Sequence, residues 1–200
     1  MPTVLITGAN RGLGLEFVRQ YTAENWRVIA TCRNPDSAKE LIKIQGKKEI
    51  LPLDVSDFRA IEKTSELLDS EKIDVLLNNA GIYDPNKNGL GQTNFDDWTN
   101  MLRINTLAPL KIVESFLKQV KNSEKKVIVS ISSLLGSISA NDSGGQYAYR
   151  SSKSALNSVN KSVSIDLADK GIISIVISPG WARTDMGGPT ATVDPVDSVS

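Results

Sequence analysis

Short runs of β-branched and aliphatic residues alternate along this 200-residue chain with longer segments of helical period, and that alternation narrows the possible folds more than any other feature. Val4-Leu5-Ile6 precedes a helix candidate with Leu13, Phe17, Val18 and Tyr21 on one stripe. Val28-Ile29-Ala30 precedes a polar helix candidate near 36–45, and Ile50-Leu51-Pro52-Leu53 precedes one near 57–70. Val75-Leu76-Leu77 leads to a long helical stretch from Phe95 to Val120. Val127-Ile128-Val129-Ser130-Ile131 leads to a helix holding Tyr149 and Lys153, and the run Ile172 to Ile177 leads to a polar tail. Six strands alternating with helices, several apolar throughout, predict an α/β chain with a doubly wound parallel sheet and helices on both faces. The length suits a single domain over residues 1–200, and no linker, repeat or low-complexity segment divides it.

Composition bounds the partners. Lys+Arg and Asp+Glu are both 23, so no global charge points to nucleic acid or to an acidic membrane surface, and a small-molecule ligand is the expectation. The single cysteine, Cys32, has no intrachain partner, which suits a reducing, cytoplasmic compartment. Met1-Pro2-Thr3 runs into a strand without a basic leader, and no apolar run approaches the ~20 residues of a membrane span. Histidine is absent, which excludes Ser-His-Asp and Cys-His chemistry and leaves no metal site to expect.

Thr7-Gly8-Ala9-Asn10-Arg11-Gly12-Leu13-Gly14 lies between the first strand and the first helix. Glycines there let the backbone turn tightly against a ligand, while the free N–H groups and positive dipole end of the helix attract phosphate. The turn reads as a pyrophosphate cradle, Gly8, Asn10, Arg11, Gly12, Leu13 and Gly14, in a Rossmann-like fold; the alternative is a strand-to-helix turn with no ligand. The end of the second strand selects the cofactor in such folds, and here it carries Arg33 with no acid beside it. With Arg11 it would clamp a 2′-phosphate, which favours NADP(H) over NAD; two solvated arginines are the bland reading. Cys32 reads as a small residue beside the adenosine rather than a reactive thiol.

Tyr149 and Lys153 sit four residues apart, on one face of a helix. A cation beside a phenol favours its ionised form, which makes the pair a general-acid candidate. Tyr83 and Lys87 match the same spacing, but Pro85 and the turn-rich DPNKNGLG run need not bring them together. Polar groups also follow the other strands: Asp54-Val55, Asn78-Asn79-Ala80-Gly81, Ser132-Ser133 and Pro179-Gly180. Each has a local alternative as a cap or turn residue, yet together they mark the carboxyl edge of the sheet, where such folds bind ligands.

The set TGANRGLG, Asp54, NNAG at 78–81, Asn105, Ser133, YRSSK at 149–153 and PGWARTDM at 179–186 resembles the short-chain dehydrogenase/reductase family over essentially the whole chain. Within it, SANDSGGQYAYRSSKSALN and SPGWARTDMGGPTAT resemble the C-factor and sniffer-type carbonyl reductase branch. The resemblance implies an NADPH-dependent oxidoreductase acting on a small-molecule carbonyl or alcohol. Tyr149 would exchange the proton, Lys153 would lower its pKa and bind the nicotinamide ribose, Ser133 would hold the carbonyl, and Asn105 would bind a water linking Lys153 to solvent. Asp54 and Val55 would meet the adenine, Asn79, Ala80 and Gly81 would lie along the adenosine, and Pro179, Gly180 and Thr184 would border the nicotinamide, with Thr184 reaching its carboxamide. Trp181 would pack over that end. Two departures stand out. The interval from Ser133 to Tyr149 is longer than is usual in the family, and the chain stops at Val199-Ser200, where relatives continue through another helix and an edge strand. The expectation is therefore a shortened C-terminal end, natural or that of a fragment, which uncovers a sheet edge. The long helices could pair subunits as a homo-oligomer. The alternative function is a catalytically silent NADP-binding regulator or a C-factor-like intercellular signalling protein.

Overall fold

A computed structural model describes residues 1–84 and 89–200. Lys87, one half of the second tyrosine-lysine pair, lies outside the described residues. Among them, six strands form one sheet in the order β3-β2-β1-β4-β5-β6. These are β1 (Thr3–Thr7), β2 (Arg27–Cys32), β3 (Lys48–Pro52), β4 (Val75–Asn78), β5 (Val127–Ile131) and β6 (Ile173–Ile177), and every neighbouring pair is parallel.

All five residues of β1 are buried, because a central strand covered on both faces has no side for solvent. Successive side chains point to opposite faces. Leu5 joins Ile29, Leu76 and Ile128 on one, against Ile61 of α3 (Phe58–Leu67), Phe116 of α5 (Ala108–Lys121) and Val163 of α6 (Tyr147–Asp166). Val4 and Ile6 join Val28, Ala30 and Leu77 on the other, against Phe17 and Val18 of α1 (Gly12–Ala23) and Leu41 of α2 (Lys39–Lys43). A ring as fully buried as Phe116 contributes about 3 kcal/mol of transfer free energy. The chain moves outward from β1 through β2 to β3, then returns through α3 to β4 on the other side of β1, with Ile6 opposite Leu77. Two connections leaving in opposite directions open a crevice at the carboxyl ends of β1 and β4.

Three expectations change. The polar helix near 36–45 is a tight turn at Pro35–Ser37 followed by the short α2, because Ala38 leaves helical geometry between them (φ −82°, ψ 58°). The helix expected from Phe95 to Val120 is broken into α4 (Phe95–Leu102), a π turn (Arg103–Leu107) and α5. Pro109 has no N–H to return to the carbonyl of Asn105 four residues earlier, and the wider turn rotates Asn105 and Thr106 inward. The polar tail is folded: Ala182 bridges Val193, Ala182 and Ala191 are buried, and Asp194 caps a last short helix, α7 (Pro195–Val199). Among the described residues, no helix is long and apolar enough to cross a membrane and no cluster of metal-ligating side chains occurs.

Candidate active site

The turn between β1 and α1 is built by close backbone approach. A Cβ on Gly14 would lie 2.2 Å from the Gly8 carbonyl oxygen. The Asn79 carboxamide clamps the turn from β4, donating to the carbonyls of Thr7 (2.9 Å) and Gly8 (3.1 Å), while the Thr7 hydroxyl accepts from the N–H groups of Asn79 and Ala80. Asn79 thus shapes the turn as well as bordering the cleft, and Thr7 is a supporting residue that the motif contained without marking. Helices α3, α4 and α7 each have a side-chain cap at the N-terminus, from Asp57, Asn94 and Asp194. Helix α1 has none and no acid in its first turn, so its leading N–H groups and dipole face the cleft without a side-chain acceptor.

At the β2 end, Cys32 and Arg33 line the same cleft. Cys32 is buried, and burial pushes its thiol above the ordinary value. The exposed Arg11 makes an ion pair at 3.2 Å with exposed Asp185, a contact worth well under about 1 kcal/mol. Burial pushes the Asp54 carboxyl up, but hydrogen bonds from Ser56 and the charge of Arg33 outweigh it and hold the group below its usual range. Asp57, not Asp54, caps the following helix. Val55 is buried against the same wall, which Ala80 and Gly81 continue.

The other end of the cleft gathers Tyr149, Ser133, Lys153 and, behind them, Asn105. The Ser133 hydroxyl accepts from the Leu135 N–H at 3.2 Å and lies beside Tyr149 on the cleft wall. Lys153, 5% exposed, donates to the Ile131 carbonyl at 2.8 Å, with its ammonium 5.7 Å from the centre of the Tyr149 ring. The expected lowering of the Tyr149 pKa is not what this arrangement gives. Burial raises it, the Ser133 hydrogen bond pulls the other way, and the neighbouring phenol of Tyr83 raises it further. Burial also lowers Lys153 to about 8, so it releases its proton more readily than an ordinary lysine. Asn105, 1% exposed, donates to the Ile82 carbonyl and accepts from the Ile82 N–H, each at 2.9 Å. A Cβ on Gly81 would lie 3.3 Å from Asn105 Oδ1 and 3.7 Å from Lys153 Nζ, so the missing side chain leaves those two groups facing one space.

The Lys153 shift has a measurable consequence. A lysine whose folded pKa is depressed from 10.5 to about 8 binds its proton more weakly when folded, so stability rises with pH across that window. Relative to Lys153→Met, the wild-type chain should gain about 2 kcal/mol of unfolding free energy between pH 7 and pH 9.5 in urea titrations. Above pH 10 the raised Tyr149 pKa works against further gain. A difference that stays flat over that range would remove the buried-ammonium account.

The remaining wall comes from the chain after β6. Pro179 and Gly180 line the cleft, and the Thr184 methyl lies 3.4 Å from where a Cβ on Gly12 would stand, which brings this segment against the glycine turn. Trp181 is 53% exposed with its indole N–H on the Gly187 carbonyl at 2.9 Å, and it stands at the edge of the cleft opening. The long Ser133–Tyr149 connection is anchored underneath by buried Arg150, which donates to Ser143 Oγ at 2.9 Å. Asn10 and Leu13 complete the lining at the first helix.

The cleft has a volume of about 710 Å³ and runs without interruption from Arg33 to Ser133. That continuity, with an uncapped helix midway, fits an extended dinucleotide. The order of the sheet and the crevice at its switch point place the chain in the Rossmann-like class of α/β proteins. More narrowly, the chain belongs to the short-chain dehydrogenase/reductase family of NAD(P)-using oxidoreductases: the family model for short chain dehydrogenases matches residues 2–193. The chain is 40% identical over 131 residues to the C-signal of Myxococcus xanthus, covering 64% of this chain and 76% of C-signal. Its fold is similar to the carbonyl reductase Sniffer of D. melanogaster, with TM-score 0.89 and 34% identity over all of this chain and 88% of that one. It is also similar to an NADPH-bound carbonyl reductase from chicken fatty liver, with TM-score 0.91 and 35% identity over all of this chain and 84% of that one.

Proposed function

We propose that the chain is an NADPH-dependent oxidoreductase that reduces a small-molecule carbonyl, or runs the reverse alcohol oxidation, with Tyr149 as the proton donor. The observation that carries this reading is the half-buried Tyr149, flanked by Ser133 and Lys153, at the same cleft as the uncapped glycine turn. Bound NADPH supplies the hydride to the carbonyl carbon. The residues from Gly8 to Gly14 would hold the pyrophosphate, with Arg11 and Arg33 on the 2′-phosphate and Asp54 and Val55 at the adenine. Asn79, Ala80 and Gly81 would border the adenosine side, Pro179, Gly180 and Thr184 the carboxamide, and Lys153 the ribose.

The chemistry of the chain's own groups follows from their placement. Ser133 and Tyr149 hydroxyls would converge on the carbonyl oxygen and stabilise the charge that develops there. An alkoxide is a far stronger base than a phenolate, so Tyr149 gives up its proton downhill even though burial has made its ionisation harder. Lys153, still largely protonated at neutral pH, then faces the phenolate left behind. The similarity to C-signal favours a second reading, a signalling or regulatory protein that binds the nucleotide. A pure sensor has no use for a phenol set beside Ser133 and Lys153 at the cleft wall, and the reductase reading accounts for that grouping.

The test is to titrate NADPH against NADH by nucleotide fluorescence and then to add aldehydes, ketones and quinones. NADPH should bind more tightly than NADH and support turnover. Arg33→Ala should weaken NADPH about tenfold or more by removing a charge-assisted hydrogen bond to phosphate, and leave NADH within about twofold. Tight binding without turnover on any carbonyl would transfer the case to the signalling reading, and no binding of either nucleotide would end both.

A further inference from the structure

Tyr83 follows the β4 strand end and belongs to none of the family motifs, yet its ring stands against that of Tyr149. The centroids are 4.9 Å apart and the planes meet at 67°, an edge-to-face contact at the substrate end of the cleft. What holds Tyr83 there is a closed circuit of hydrogen bonds. Asn105 grips the backbone of Ile82 on both its N–H and its carbonyl. The same carboxamide donates to Ser152 Oγ at 3.1 Å, and the Ser152 hydroxyl donates to the backbone carbonyl of Tyr149 at 2.8 Å. Thr106, the next residue of the π turn, adds a bond from its hydroxyl to the Ser152 carbonyl at 2.8 Å. The backbones on either side of the two rings are therefore tied to one buried side chain.

We propose that Tyr83 is a positioning residue for the reaction at Tyr149: Asn105 fixes the backbone that carries the Tyr83 ring, and this ring fixes the direction in which the Tyr149 hydroxyl meets the substrate oxygen. The inference rests on the reductase reading and extends it. Tyr149 borders an open cleft, so packing alone leaves its ring free to swing toward the space that substrate occupies. Ser133 stands to one side of the hydroxyl, and Lys153 directs its bond to Ile131 instead of to the phenol. An aromatic edge on the remaining side closes that freedom, and a reacting group held in line is worth far more than one that must find its alignment. The ring of Tyr83 does this work, and its hydroxyl is not needed for it.

The experiment compares Tyr83→Phe and Tyr83→Ala in the full chain, reading kcat, carbonyl KM and the NADPH dissociation constant by nucleotide fluorescence. Tyr83→Ala should lose about tenfold or more in kcat with NADPH affinity within about twofold of wild type, and Tyr83→Phe should restore kcat to within about threefold. A double-mutant cycle of urea unfolding with Tyr83→Leu and Tyr149→Leu should be non-additive by about threefold or more in the unfolding constant. Full kcat in Tyr83→Ala, a Phe variant as impaired as the Ala variant, or equal losses in kcat and NADPH affinity would each overturn the proposal. If the wild-type chain turns over no carbonyl, the reductase reading fails by itself. The unfolding cycle then still decides whether the rings act on each other, and additivity there would overturn the role of Tyr83.

Discussion

Replacing Tyr149 with Phe should lower kcat for carbonyl reduction by about 10²–10⁴-fold while NADPH affinity stays within about twofold. The substitution removes one oxygen and keeps the ring, so the contact with Tyr83 and the packing of α6 survive. What disappears is the hydroxyl with its proton. The rest of the site stays in place, with Ser133 oriented by the Leu135 N–H and Lys153 directed to the Ile131 carbonyl. The split between an unchanged dissociation constant and a collapsed kcat is the signature of a group that acts in the transition state. If kcat and affinity fall together, Tyr149 holds the cofactor and does not supply the proton.

Gly14→Ala should cost about 3 kcal/mol or more of stability and abolish nucleotide binding. The added methyl would stand 2.2 Å from the Gly8 carbonyl oxygen, 3.0 Å from the Gly8 carbonyl carbon and 2.6 Å from Asn79 Nδ2. Two of those atoms are backbone, so relief requires moving the turn off the helix, and the Asn79 clamp that shapes the turn moves with it. Gly171→Ala is the control. That glycine is at φ +67° with nothing within 4 Å of an added Cβ, so its cost is conformational alone, about 1–2 kcal/mol. Urea unfolding that shows the two variants equally stable would mean the β1–α1 turn yields more easily than its contacts imply.

The strands were legible because each is a short apolar run, and β1 at the centre is apolar enough to announce burial on both faces. The residues at the strand ends were legible too, since polar groups after apolar runs have few other places to go, and the cleft brings Gly8, Arg33, Asp54, Asn79, Ser133, Tyr149 and Gly180 to one edge. The π turn was hidden because Met101, Ala108 and Ile112 keep a helical rhythm across it, and only Pro109 marks the break. The folding of residues 181–200 was hidden because its polar composition resembles a loop, while its order comes from backbone bonds such as Arg183 N–H to the Val193 carbonyl. The direction of the Tyr149 pKa was illegible for a different reason. Spacing puts a lysine one turn away, but burial and the direction of that lysine's bond are tertiary facts.

The way the last twenty residues are fastened bears on how such a chain can diversify. The Arg183 N–H donates to the Val193 carbonyl and the Val193 N–H to the Trp181 carbonyl, Gln20 of α1 donates to the Val196 carbonyl, and Ser198 donates to the Pro179 carbonyl. Every acceptor is a peptide oxygen, which any residue supplies. Between the anchors, the exposed Met186 borders the cleft and can therefore be exchanged without loosening the strap, whereas Asp185 is paired with Arg11 and an added Cβ on Gly187 would stand 2.0 Å from the Ala182 carbonyl oxygen. On the proposed function, a side chain of the substrate wall would then be separable from the frame that would hold the nucleotide, and a library confined to Met186 should retune selectivity on an intact scaffold.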